Sequence, residues 1–144
     1  MRPINLIVVH STTTTAEVTI EQIRKLQAEK SKVPMWHYLI DRKGNVHTLY
    51  SKRQVASQNL PHNGASIHIA YAGGKDATEK PADTRTASQQ RALFELLVKL
   101  SEWHPKAEII GASDLTSHQN GNPGFAVREW MYNYDYLSEC LSDE

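Results

Sequence analysis

The chain opens on a short apolar run, Ile4 to Val9, the pattern of a strand buried on both faces. It delivers His10 at its end, followed by Ser11 and a polar loop over Thr12–Thr15. Thr19 with Gln22 reads as a capping box, and Ile20, Ile23 and Leu26 then recur at helical spacing. That helix frays at Lys30-Ser31-Lys32, and Pro34 forbids its continuation. Trp36–Ile40 and Asn45–Tyr50 flank Asp41-Arg42-Lys43-Gly44, which predicts a β-hairpin turning at a glycine able to take a positive φ. Gln54–Gly64 is a polar loop rich in Asn and Gln. Ser66–Tyr71 is the next strand, ended by Gly73-Gly74, and Lys75–Asp83 has the composition of a charged surface loop.

A second capping box, Thr86 with Gln89, starts an amphipathic helix marked by Leu93, Leu96, Leu97, Leu100 and Trp103, which Pro105 stops. Glu108–Gly111 is a short strand, followed by a loop over Ala112–Gly124. Phe125, Val127, Trp130, Met131 and Tyr134 mark a closing helix. The order β-α-β-β-β-α-β-α implies an α/β fold, a central mixed sheet flanked by helices, over one domain spanning residues 1–144.

Composition narrows the function classes. Sixteen basic residues balance sixteen acidic ones, so no net field favours nucleic acid or an anionic membrane. The single cysteine, Cys140, excludes an internal disulfide framework. No apolar run approaches the roughly 20 residues that span a bilayer. The N-terminal run is too short for a signal peptide and lacks a small-residue cleavage site, so cytoplasmic synthesis is expected, with wall access only by lysis or dedicated export.

Several segments, taken in order, resemble one family. His10 ends the first strand. The hairpin reads Trp36-His37-Tyr38-Leu39-Ile40-Asp41-Arg42-Lys43-Gly44-Asn45-Val46. Asn63 to Gly74 includes Ser66-Ile67-His68-Ile69 and closes on Gly73-Gly74. Pro81-Ala82-Asp83-Thr84-Arg85-Thr86 precedes the long helix. Gly111-Ala112-Ser113-Asp114-Leu115 and Asn120-Gly121-Asn122-Pro123-Gly124-Phe125 come last. From about Ile4 to Tyr136 this order is similar to the zinc-dependent N-acetylmuramoyl-L-alanine amidases, which share the fold of the peptidoglycan-recognition proteins. In the third of these segments the family pattern has glycine where this chain has His68.

The resemblance implies three zinc ligands, at positions 10, 112 and 122, and here they read His10, Ala112 and Asn122. A catalytic zinc needs three protein ligands and an open position for water. Alanine has no lone pair to offer, and an asparagine carbonyl is a poor substitute for thiolate or carboxylate. The family's assisting tyrosine is replaced by Trp36 and its polarising lysine by Asn120. Four changes converging on one site imply that zinc is absent, that hydrolysis is lost, and that no confident catalytic residue remains. The ligand groove is then expected beside His10, Trp36, Ala112 and Asn122, with Leu60-Pro61-His62-Asn63 at its edge.

Other residues carry weaker readings. His118 lies in the loop before Asn122, where it could swing toward a vestigial His10 and rebuild a metal site with Asp114 or Asn122. A Ser11-His10-Asp114 hydrolase lacks a nucleophile elbow around the serine. His47, His62, His68 and His104 show no ligand spacing and read as surface or packing histidines, and His37 reads as structural. Trp36 has a core reading beside the groove reading, while Trp103 and Trp130 fit helix core positions. The expectation is a non-hydrolytic amidase relative binding a peptidoglycan fragment. The alternatives are an active amidase using a rearranged metal site and a module for an unknown protein partner.

Overall fold

In the computed structural model, which describes residues 2–136, the first apolar run becomes β1 (Leu6–Ser11). The elements that follow are α1 (Ile20–Lys30), β2 (Tyr38–Ile40), β3 (Val46–Thr48), β4 (Ser66–Tyr71), α2 (Ala87–Trp103), β5 (Glu108–Gly111) and α3 (Val127–Asn133). The strands form one mixed sheet in the order β3-β2-β4-β1-β5. β1 pairs in parallel with both β4 and β5, β2 pairs in parallel with β4, and only the β2–β3 hairpin is antiparallel. The expected element order and mixed α/β architecture are both present. Cys140 lies outside the described residues.

The two faces of the sheet take different cover. Ile7, Val9, Ile67, Ile69 and Tyr71 pack against Leu93, Leu97 and Leu100 of α2 and Val127 of α3. On the opposite face α1 lies over β2 and β4, where Ile23 meets Trp36, Leu39, Ala70 and Ala72. Both capping boxes form: Thr19 with Gln22 and Thr86 with Gln89. The second also anchors the sheet. Gln89 Nε2 donates to the carbonyls of Ala72 and Ile40, and Thr86 Oγ1 donates to the carbonyl of Arg42. Gly44 turns the hairpin at φ 86°, and a Cβ there would lie 2.6 Å from the Ser88 carbonyl oxygen. The start of α2 and the hairpin therefore approach as backbone against backbone.

Four expectations need correction. β1 begins at Leu6 and runs through Ser11, because its parallel register with β4 continues to the Ser11–Tyr71 pair; His10 is thus inside the strand. Trp36 and His37 precede β2, although the His37 amide still donates to the His68 carbonyl. Leu26 is exposed, and Ile23 and Gln27 are the buried residues of α1. Trp103 is 57% exposed rather than core. It sits in the last turn of α2, beyond the stripe of Leu93, Leu97 and Leu100, with Lys52 Nζ 4.1 Å above its ring. Trp130 does pack against the core, its indole N–H donating to Gln90 at 3.3 Å.

Candidate functional site

The site is built where the central strands end. Side chains alternate along a strand, so Leu6, Val8 and His10 share the face that carries α1. The register sets Val8 beside His68 and His10 beside Ala70 on β4. On the other flank Val9 pairs with Gly111, so the next positions along the two strands are His10 and Ala112. Ala112 is fully buried with Val8 and Ile110 in a small apolar cluster. Asn122 arrives from the loop after β5. Its Oδ1 accepts the Ser11 backbone N–H at 2.7 Å, and its Nδ2 donates to Gln119 Oε1 at 2.9 Å. Positions 10, 112 and 122 are therefore brought together at one edge of the sheet.

What they offer a metal is one imidazole, one methyl group and one amide oxygen already committed to the strand. That donor set does not fit the tetrahedral nitrogen, sulfur or carboxylate environment that zinc takes. His118 and Asn120 are exposed on the same loop, and neither side chain hydrogen-bonds to His10. Asp114 caps its own short turn, accepting the Gly111 N–H at 2.9 Å. Among the described residues no three His, Cys, Asp or Glu side chains gather in a metal-holding group.

Beside these positions the structure holds a line of buried histidines. His10 Nε2 lies 2.8 Å from His68 Nδ1, and His68 Nε2 lies 2.7 Å from Asn63 Oδ1. The His37 ring stacks on His68 with centroids 6.0 Å apart. His37 Nδ1 accepts the His68 backbone N–H at 3.0 Å, and its Nε2 lies 2.8 Å from the Gln54 carbonyl. Burial disfavours the charged rings and pushes His10 down to about 3. His68 falls to about 2, where burial is joined by His10, His37 and Arg2 nearby. His37 is also lowered, mainly by burial. All three are neutral at neutral pH.

The sequence reading missed His68. It treated that residue as one of several ordinary histidines, yet it is the direct partner of His10. The available signal was strand parity: His68 is two residues before Ala70, the partner of His10, and so lies on the same face of a parallel neighbour. The loop Gln54–Gly64 also works differently from a groove edge. Leu60 is buried, and the loop supplies acceptors for the histidines through Gln54 and, by way of Asn63, Ala56.

Trp36 joins core and cleft. It packs on Ala70, the strand partner of His10, and is only 6% exposed. Its edge lines a cleft of about 470 Å³ between α1 and β3, bordered by Arg24, Lys32, Pro34 and Leu49. A smaller cleft of about 120 Å³ lies on the Thr12, Thr13 and Thr14 side, bordered by Lys30 and Met35. That edge is tightly built, since a Cβ at Gly74 would lie 2.1 Å from Ser11 Oγ.

Residues 1–125 match the family model described as N-acetylmuramoyl-L-alanine amidase. The chain belongs to that family. It is 28% identical over 121 residues to an endolysin of Klebsiella phage KP32, covering 83% of this chain and 79% of the relative. The solved endolysin of the Thermus scotoductus bacteriophage Ph2119 superposes with a TM-score of 0.72 at 26% identity, covering 90% of this chain and 82% of that one. Drosophila peptidoglycan recognition protein SD superposes with a TM-score of 0.70 at 20% identity, covering 94% of this chain and 83% of that one, which is a likeness of fold. The matched span takes in all five strands and the loop that follows β5. No helix among its described residues is long and apolar enough to cross a membrane.

Proposed function

We propose that this protein is a non-hydrolytic member of the amidase family that binds a peptidoglycan fragment beside His10 and Trp36. The observation that carries the reading is the state of the three ligand positions. Ala112 offers only a methyl group, buried with Val8 and Ile110, and the Asn122 amide spends its oxygen on the Ser11 N–H. Without a bound metal, no water there is lowered from a pKa of ~16 toward ~7, and the attacking hydroxide is lost. The supporting groups are missing as well. Trp36 cannot exchange a proton usefully near neutral pH, and Asn120 carries no charge.

Binding is the part of the activity that such a site can keep. The clefts flanking Trp36 combine an indole wall with threonine hydroxyls and the cations Arg24, Lys30 and Lys32. That composition suits a ligand with sugar hydroxyls and carboxylates on its peptide stem. Relatives called endolysin and peptidoglycan recognition protein point to the same class of ligand.

Purified cell-wall peptidoglycan tests the proposal in one experiment. The protein should sediment with the wall while no free stem peptide appears in the supernatant. Release of stem peptides that disappears in His10→Ala would establish an active amidase and overturn the reading. Failure to sediment with the wall would leave the scaffold as a module for a protein partner.

A further inference from the structure

The line of hydrogen bonds at His10 has a fixed direction, set from its far end. Asn63 Nδ2 lies 2.9 Å from the Ala56 carbonyl oxygen, so the amide nitrogen must face that acceptor and Oδ1 must face His68. Turning the amide over would set two carbonyl oxygens against each other. His68 therefore donates from Nε2 to Asn63 and accepts at Nδ1. His10 in turn donates from Nε2 to His68 Nδ1. A neutral imidazole carries one proton, so His10 Nδ1 is a bare lone pair on the side of the ring away from His68. No described residue donates to it, although His10 is only 2% exposed. The atom is not sealed from solvent, so the small surface His10 keeps leaves this unpartnered lone pair open to a donor from outside the protein.

We propose that His10 is a hydrogen-bond acceptor for a donor group of the ligand, an amide N–H or a sugar O–H, and that His68 and Asn63 are positioning residues that fix its tautomer. The inference rests on the peptidoglycan-binding reading and sharpens it. A metal centre takes the carbonyl oxygen of an amide, whereas an imidazole lone pair takes the opposite pole. The position thus selects donors where metal-bearing relatives would select acceptors.

The test uses the full chain with ¹⁵N-labelled histidines. In the free protein, His10 should be protonated at Nε2 and bare at Nδ1. Titration with muramyl dipeptide should then move the His10 Nδ1 resonance saturably. His68→Leu removes the acceptor that holds the tautomer and should weaken binding about tenfold, or about 1.4 kcal/mol. His68→Gln, whose side-chain oxygen can still accept the His10 proton, should recover most of that loss. Protonation at Nδ1 in the free wild-type protein would overturn the inference before any ligand is added, even should the leucine variant fail to fold. Saturable shifts elsewhere with His10 Nδ1 unmoved would overturn the acceptor role and leave the binding reading standing. No shift anywhere at millimolar dipeptide would overturn the binding reading and the acceptor role together.

Discussion

Residues that alternate along β1 and β4 meet two different worlds. Ile7, Val9, Ile67 and Ile69 point to one face and are sealed beneath the leucines of α2. Val8, His10 and His68 point to the other, where two neutral imidazoles are held by an asparagine from the preceding loop. The first face is redundant, because many apolar contacts share the load and any one is replaceable at a cost. The second is a single file of hydrogen bonds, running from His10 through His68 and Asn63 to the Ala56 carbonyl, in which each link is made once. Stability is therefore expected to reside on the α2 face, and recognition on the face where His10 lies.

The sharpest way to break that division is to cut into each face in turn. Leu97→Ala, at a fully buried position, should cost about 2–5 kcal/mol through lost burial and the cavity left behind, read by urea denaturation. It should leave the His10 tautomer unchanged if the faces are independent. A loss below about 1 kcal/mol would show that α2 is not the anchor we describe.

The histidine face should respond to pH. In the folded chain His10 and His68 stay neutral down to about 3 and about 2. In the unfolded chain each takes up a proton near the ordinary imidazole value of about 6.5. Between those limits the unfolded state binds more protons, so stability is complete above about pH 6.5 and is lost as the pH falls. The slope is up to about 1.4 kcal/mol per pH unit for each histidine. His37 acts in the same direction. Urea midpoints at pH 7, 6 and 5 should fall in step, and His68→Gln should flatten the slope by one proton. A flat profile would mean that the rings are hydrated and outside the core.

Most of the α2 face could be read from the sequence. The Thr86–Gln89 capping box, the leucine spacing and Pro105 are local signals, and the helix they announce is the one that forms. The Ser66–Tyr71 and Glu108–Gly111 strands also formed at the expected residues. Trp103 misled because helical spacing says which side of a helix a residue occupies, not whether anything lies opposite it. The histidine face was less legible for a different reason. His10 and His68 are 58 positions apart, and only the parallel register of β1 with β4 makes them partners. Asn122 presented the same difficulty. Its residue type weighed against a zinc ligand, but its bond to the Ser11 N–H depends on how a thirteen-residue loop returns to the sheet.

Asn63→Ala probes that single-file arrangement with a smaller expected effect. It strips the His68 Nε2–H and the Ala56 carbonyl of their partners at once. The cost should be about 1–3 kcal/mol, the range for leaving buried polar groups unsatisfied. Accompanying it, the His10 tautomer should become mixed. A stable variant with an unchanged tautomer would show that His68 is oriented by packing alone.

The smallest expected effect is none at all, and it separates the faces most cleanly. Chelator should leave the melting temperature where it is, because the α2 core contains no ligand-bearing group and positions 10, 112 and 122 offer a single imidazole. Added zinc should be equally silent. A metal bound to the folded state at one hundred times its dissociation constant would stabilise it by about 2.7 kcal/mol, a shift of several degrees for a chain of this size. The double variant Ala112→His with Asn122→Asp turns this into a positive control. Histidine must enter a space that Val8 and Ile110 now fill around a methyl group, so the variant should start about 1–3 kcal/mol less stable. The new carboxylate can still accept the Ser11 N–H through one oxygen and has a second to offer. Zinc should then raise the melting temperature of the double variant and of neither single one. A zinc-dependent rise in the wild-type chain would instead reveal a ligand set assembled from residues that the present geometry keeps apart, with His118 the first to examine by substitution.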